Sequence, residues 1–142
     1  GGIRIQVMDL MDKPMFETGS AKFTQTALEI MEFIAMRISD IPGNILIEGH
    51  TDGTPYADVK YRSNWELSMD RASAARVALL NNGVLSPRFR RVIAYAGTEP
   101  LIANDYFNPK NRRISIILLT DDIADIYKKE LPSENIEKST QH

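Results

Sequence analysis

The sequence has no cysteine and only two histidines, His50 and His142. Without cysteine, the protein has no disulfide bond, no thiol nucleophile and no cysteine-ligated zinc site. Two histidines are too few for a histidine-rich metal cage. The chain also lacks a block of basic residues, and its net charge is −2. Nucleic acid is therefore a poor partner, because binding to phosphates depends on clustered lysine and arginine.

The length and composition predict one soluble globular domain. The chain has 142 residues, of which 43% are hydrophobic and 25% are charged. These values are typical of a folded domain with an apolar core. No apolar run is long enough to span a bilayer. The chain starts at Gly1 without an initiator methionine and passes directly into a strand pattern, so we expect a piece of a longer protein, with any targeting or membrane segment upstream.

Four short apolar segments predict β-strands. The first alternates apolar and polar residues, as a half-buried strand does, and the others are short apolar runs. Helical patterns separate the first three, which gives the order β-α-β-α-β-loop-β. Strands connected through helices imply crossovers and at least partly parallel pairing. The predicted class is an α/β sandwich, with helices packed on a mixed sheet of four or slightly more strands. The predicted strands are 3–7, 45–48, 92–96 and 114–119.

Two longer segments predict the helices. The first carries an apolar stripe at helical spacing over residues 27–38, and Thr26 with Glu29 three residues later has the form of a capping box. The second begins at another capping-box pattern, residues 63–66, and continues to Gly83. A glycine suits the left-handed residue that follows a helix end.

The domain is expected to extend over residues 1–131. Its core is predicted to be residues 23–120. An N-terminal segment over 1–22 leads into this core, and a short amphipathic helix over 121–131 follows it. The tail, 132–142, is polar, and we expect it to be disordered.

Arg71 lies at an unexpected place on the second helix. It shares a face with Leu67, Ala74 and Ala78, so the guanidinium lies inside the apolar stripe. Such a group needs an anion or access to solvent, because burying it alone is costly. Asp52 follows the strand that leads to this helix, at the carboxyl end where open α/β sheets bind ligands. Asp52 is therefore the expected partner.

Two interpretations of this pair remain open from the residues alone. The first is an internal salt bridge between Asp52 and Arg71. The second is a site for a zwitterion, in which the acid holds an ammonium group and the forked guanidinium holds a carboxylate. The helix N-terminus near Asn64 would add N–H groups that favour an anion. Structural ion pairs are commoner than binding sites, so the residues alone favour the salt bridge.

A hydrolase is the competing hypothesis, with His50 and Asp52 as its candidate residues. Metal sites need three or four ligands, and no further partners cluster here. Catalysis by His50 would need an activated nucleophile, and no serine lies in an elbow motif. A single histidine at a strand end is more often structural, so the sequence gives little support to an enzyme.

Residues 111–113 (Asn-Arg-Arg) suit either a solvated strand start or a second contact to an anionic ligand.

Four blocks within residues 45–119 resemble the signature of OmpA-like peptidoglycan-binding domains. They are Gly49-His50-Thr51-Asp52, Asn64, Leu67-Ser68-x-x-Arg71-Ala72 and Asn111-Arg112-Arg113-Ile114. The resemblance implies a non-catalytic domain without a cofactor that binds diaminopimelate in the peptidoglycan stem peptide. It implies that Asp52 contacts the ammonium group and Arg71 the carboxylate, which reverses the preference for a salt bridge. The residues implied to shape the pocket or to add a contact are Thr51, Asn64, Leu67, Ser68 and Arg112.

The N-terminal residues resemble the MotB-type stator branch of this family. Residues 3–7, followed by Pro14-Met15-Phe16-x-x-Gly19-Ser20-Ala21, are similar to the approach to this domain in flagellar stator subunits. The resemblance implies the periplasmic domain of a single-pass inner-membrane protein that forms a homodimer. It also implies pairing with the channel-forming stator subunit MotA, through a membrane segment outside this chain, so that the domain holds the ion-driven stator to the wall. A tether between the outer membrane and peptidoglycan is the alternative within the same fold.

Overall fold

A computed structural model describes residues 2–10, 12–55 and 63–119, which form one layer of sheet and one layer of helices. The predicted C-terminal helix over 121–131 and the tail over 132–142 lie outside the described residues. Within the described part, no helix combines the length and apolarity of a membrane-spanning segment.

The sheet has four strands in the order β1-β4-β2-β3. β4 lies between β1 and β2 and is antiparallel to both, whereas β2 and β3 are parallel. The parallel pair follows from the helix between β2 and β3, which carries the chain back along the sheet before β3 begins. The predicted mixed four-stranded sheet is confirmed. The strands are β1 (Gly2–Met8), β2 (Asn44–His50), β3 (Phe89–Ala96) and β4 (Arg113–Leu119).

The first helix, α1, covers Gln25–Ser39. Its N-cap is Thr24, which has an extended backbone and a hydroxyl that accepts a hydrogen bond from the N–H of Ala27 at 3.3 Å. The predicted capping box at Thr26 is wrong, because that residue already lies in the first turn. The Thr24 hydroxyl also donates to the carbonyl of Pro14 at 2.9 Å, so a tertiary contact selects this threonine as the cap.

The second helix, α2, covers Asn64–Asn81 and begins where the sequence predicted. The Ser63 hydroxyl accepts a hydrogen bond from the N–H of Trp65 at 3.2 Å and also bonds the Glu66 carboxylate. The helix ends before Gly83, which has a positive φ of 98°. Glycine adopts that left-handed conformation without steric cost.

Both helices pack on one face of the sheet, where the core lies. Successive strand side chains point to opposite faces, so alternate residues of β2 and β4 enter this core. The largest fully buried core side chains are Met31, Ile38, Ile45, Ile47, Leu79, Ile114, Ile116 and Leu118.

Gly49 allows α2 to lie directly against the carboxyl end of β2. A Cβ atom at Gly49 would lie 2.1 Å from the backbone carbonyl oxygen of Ser68 and 3.1 Å from the Cβ of Ala72. The same close approach lets the Ser68 hydroxyl accept a hydrogen bond from the N–H of Ala96 at 3.1 Å. The N-terminal half of α2 is therefore held beside the loop that follows β2.

Candidate functional site

A cavity of about 270 Å³ lies at the carboxyl end of β2. Its walls are the loop after β2, the first turns of α2, the residue before β4 and the linking segment, by which we mean residues 9–23 between β1 and α1. The structure brings six of the seven predicted site residues together here. These are Thr51, Asp52, Asn64, Leu67, Arg71 and Arg112.

Asp52 is buried in this cavity and is held on both carboxylate oxygens. Oδ2 lies 2.5 Å from Nη1 of Arg112, and Oδ1 accepts a hydrogen bond from the N–H of Thr54 at 2.9 Å. Two backbone hydrogen bonds fix this loop. The N–H of Thr51 donates to the carbonyl of Ala96 at 2.8 Å, and the N–H of the residue after Asp52 donates to a carbonyl in the loop before β4. Among the ion pairs of the described residues, Asp52 pairs with Arg112. The internal salt bridge with Arg71, which was one of the two interpretations left open by the residues alone, is not among them.

The register of the sheet explains this choice of partner. β4 is the antiparallel neighbour of β2, and Arg113 lies opposite His50. Arg112 therefore emerges next to the loop that carries Asp52. The position of β4 between β1 and β2 is a property of the tertiary fold, which no local sequence pattern encodes.

Arg71 lies in the apolar face of α2, as predicted, and is only 7% exposed. Its Nε donates a hydrogen bond to the carbonyl oxygen of Ser20 at 2.9 Å. The guanidinium carbon lies 4.8 Å from the centre of the Phe16 ring, within the range of a cation–π interaction. The linking segment thus orients this cation toward the cavity.

Arg112 joins two carboxylates across the cavity wall. Its Nε donates to Oδ2 of Asp9 at 2.8 Å, and its Nη1 donates to Asp52. Burial alone would lower the pKa of Arg112, but the hydrogen bonds and negative charges of Asp9 and Asp52 raise that pKa above its ordinary value. Arg112 is therefore a permanent cation held between two acids.

Ser68 does not line the cavity, contrary to the prediction. Its side chain is fully buried, donates to the carbonyl of Trp65 at 3.0 Å and accepts from Ala96. Ala96 has a positive φ of 51°, and the Ser68 hydroxyl is the partner of its N–H. Ser68 thus supports the site by joining α2 to the end of β3.

Sequence reasoning missed half of the lining, most of it in the linking segment. The signal that was available was Asp9, an acid directly after the alternating pattern of β1. Its significance depends on β1 pairing with β4, with Met8 opposite Arg113. The six missed lining residues are Asp9, Pro14, Phe16, Thr18, Gly19 and Thr54.

His50 faces away from this cavity, on the other side of the sheet. Its ring stacks on Tyr95 with the ring centres 4.8 Å apart, and its Nε2 lies 3.6 Å from Glu48. Glu48 in turn pairs with Arg4 at 2.9 Å. His50 and Asp52 therefore do not converge on one reacting atom, which removes the geometry that the hydrolase hypothesis needs. Among the described residues, no three histidine or acidic side chains are grouped as metal ligands.

The buried His50 predicts a loss of stability in mild acid. Burial, followed by the charge of Arg113, lowers the pKa of His50 from 6.5 to about 4 against the opposing effect of Glu48. Between those values the unfolded chain binds a proton that the folded chain does not, so the stabilisation is complete above pH 6.5 and is lost as the pH falls toward about 4. We expect the free energy of unfolding to be about 2 kcal/mol lower at pH ~5 than at pH ~7 from this residue.

Urea unfolding at these two pH values measures the effect. His50→Gln serves as the control, since it removes the titrating imidazole and leaves all other titratable side chains in place. The variant should show a pH dependence about 2 kcal/mol smaller than that of the original chain. An equal pH dependence in both proteins would show that His50 does not remain neutral in the folded state.

Comparison with known proteins agrees with this architecture. The model of the OmpA family matches residues 15–113. Over 119 residues the chain is 43% identical to Motility protein B of Escherichia coli (strain K12), and the alignment covers 83% of this chain but 39% of that protein. The chain thus spans well under half the length of this curated relative.

Two solved structures share the fold. The periplasmic domain of Helicobacter pylori MotB superposes with a TM-score of 0.71 and 28% identity, covering 89% of this chain and 90% of the other. The cell wall anchor of the type VI secretion system (T6SS) from Pseudomonas aeruginosa superposes with a TM-score of 0.71 and 26% identity, covering 84% and 82%. The family resemblance of the sequence blocks and the stator-type resemblance of the N-terminal residues both agree with these similarities. The chain belongs to the OmpA family.

Proposed function

We propose that this domain is a non-catalytic anchor that binds the diaminopimelate residue of peptidoglycan in the periplasm. One observation carries the proposal: the carboxylate of Asp52 and the guanidinium of Arg71 line the same cavity of about 270 Å³. In this proposal the ligand's ammonium group binds Asp52, and its carboxylate binds the planar fork of Arg71. The similarity to Motility protein B and to a protein described as a cell wall anchor supports this proposal.

The rest of the cavity suits the short aliphatic chain of this ligand. Leu67 is buried at its wall and offers apolar contact to methylene groups. Asn64 is the first residue of α2, and its side-chain amide is held by a hydrogen bond to the carbonyl of Thr54 at 2.9 Å. The Thr51 hydroxyl donates to the carbonyl of Asp52 at 2.9 Å, so it holds the acid-bearing loop. Arg112 orients Asp52 for the ligand, since its Nη1 binds Asp52 and its Nε binds Asp9.

We further infer that the whole protein is a flagellar stator subunit. The 43% identity to Motility protein B supports this assignment. In that role a single membrane-spanning segment outside this chain would hold the protein in the inner membrane, where it would pair with the channel subunit MotA and form a homodimer. The domain would then keep the stator stationary against the wall, so that ion flow produces torque on the rotor.

Co-sedimentation with purified sacculi tests the anchor function. The domain should pellet with sacculi whose stem peptides contain diaminopimelate. It should bind at least about tenfold more weakly to sacculi that carry lysine at the same position, because lysine lacks the carboxylate proposed to contact Arg71, and a site built around a polar group rejects an analogue that lacks it. Equal binding to both wall types would contradict the zwitterion site. Release of soluble muropeptides would contradict the non-catalytic assignment.

A further inference from the structure

We propose that Asp9 is a positioning residue that keeps the Asp52 end of the cavity negatively charged, so that this end can bind an ammonium group. The proposal rests on the proposed function, since it concerns the same site. Asp9 precedes the region that the family model matches, which begins at residue 15. It is buried, with 5% of its surface exposed, and it lines the cavity.

Three hydrogen bonds fix Asp9. Its backbone N–H donates to the carbonyl of Arg112 at 3.0 Å, which extends the β1–β4 ladder by one residue. Its Oδ2 accepts from Nε of Arg112 at 2.8 Å, and its Oδ1 accepts from the N–H of Met15 at 2.7 Å. Asp9 and Arg112 are therefore held together by both backbone and side chain.

The argument depends on counting charge around Arg112. The guanidinium lies between Asp9 and Asp52, and its Nη1 is 2.5 Å from the Asp52 carboxylate. With Asp52 alone, this cation would form a neutral pair, and an approaching ammonium group would compete with Arg112 for an acid that is already neutralised. With Asp9 present, the three side chains have a formal charge of −1. Even across the width of a guanidinium group, several ångströms away, one unit charge in a partly buried site changes an affinity about tenfold or more.

A structural role for Asp9 makes a different prediction from this electrostatic one. If Asp9 only holds the linking segment through Met15, its loss should weaken every ligand of the cavity. If Asp9 supplies charge, its loss should weaken ligands with an ammonium group and spare those without one. A second change that removes the charge of Arg112 should then restore binding, because Asp52 alone again leaves a formal charge of −1.

Calorimetric titration of the domain with meso-diaminopimelate and with pimelate separates these cases. Pimelate has the same dicarboxylate chain and no ammonium group. Asp9→Asn should bind meso-diaminopimelate about tenfold more weakly and pimelate no more weakly than the original chain does. The double variant Asp9→Asn/Arg112→Gln should recover the affinity for meso-diaminopimelate to within about threefold. Circular dichroism of each variant reports the fold.

Several outcomes would overturn the proposal. Equal weakening of both ligands in Asp9→Asn, unchanged binding of both, or a double variant that binds no better than the single one would each show that Asp9 does not act through charge. If Asp9→Asn does not fold, the double variant decides by itself, since loss of meso-diaminopimelate binding in a folded double variant refutes the charge argument. Failure of the original chain to bind meso-diaminopimelate would instead refute the proposed function, and this proposal with it.

Discussion

Replacing Asp52 with alanine is expected to lower the affinity for diaminopimelate-containing sacculi about 100-fold, or about 3 kcal/mol. The reason is that Asp52 is the proposed partner of the ligand's ammonium group and is itself nearly inaccessible to water. Asp52 is only 7% exposed, and its second oxygen is occupied by the N–H of Thr54. Removing the carboxylate leaves an ammonium group to be desolvated without a partner, which costs more than losing an exposed contact.

The same variant should remain folded. Arg112 keeps its bond to Asp9 at 2.8 Å when Asp52 is lost, so its half-buried guanidinium is not left without a partner. We expect the free energy of unfolding to fall by about 1–2 kcal/mol, from the lost bonds to Arg112 and Thr54. Urea unfolding and co-sedimentation with sacculi, carried out on the same preparation, measure the two effects separately.

Asp70→Ala is the matched control for charge. Asp70 is an exposed acid on α2 outside the cavity lining, so its removal changes the net charge by the same amount and should leave binding unchanged. If Asp52→Ala unfolds, Asp52 is a structural residue and its assignment to the ligand is wrong. If it folds and pellets like the original chain, the ammonium contact lies elsewhere.

Gly49→Ala is expected to destabilise the fold by about 3 kcal/mol. The added methyl group would lie 2.1 Å from the carbonyl oxygen of Ser68, which is a backbone atom in the second turn of α2 and cannot rotate away. The whole helix must therefore shift, and Asn64, Leu67 and Arg71, which line the cavity, must shift with it. The variant should therefore lose wall binding as well as stability, and denaturant unfolding followed by co-sedimentation measures both.

Gly83→Ala provides the contrast. A Cβ at Gly83 meets no atom within 4 Å, so the substitution carries only the cost of a left-handed backbone at φ 98°, about 1 kcal/mol. Binding should be unchanged in this variant. A Gly49→Ala protein that is as stable as Gly83→Ala would show that α2 does not lie against β2 as closely as the structure indicates.

Much of the fold was predictable because local patterns in the chain determine it. The capping pattern at Ser63 located the start of α2, and Gly83 located its end. The helical spacing of Arg71 placed a cation on the buried face of α2, where it is found. These features depend on neighbours within a few residues, so the sequence shows them directly. The sequence blocks also identified six residues that line one cavity.

The remaining features were decided by the tertiary structure. Asp52 pairs with Arg112 because β4 lies beside β2 in the sheet. No local sequence pattern predicts this order of the strands. Asp9 enters the site for the same reason, since β1 is the other neighbour of β4. Ser68 has the sequence features of a pocket residue but points to Ala96 instead, because the helix lies so close to the sheet at Gly49. The sequence alone therefore determined most of the secondary structure and the residue types that line the cavity. Long-range packing decided which charges meet, because the arrangement of the strands brings together partners that are far apart in the chain.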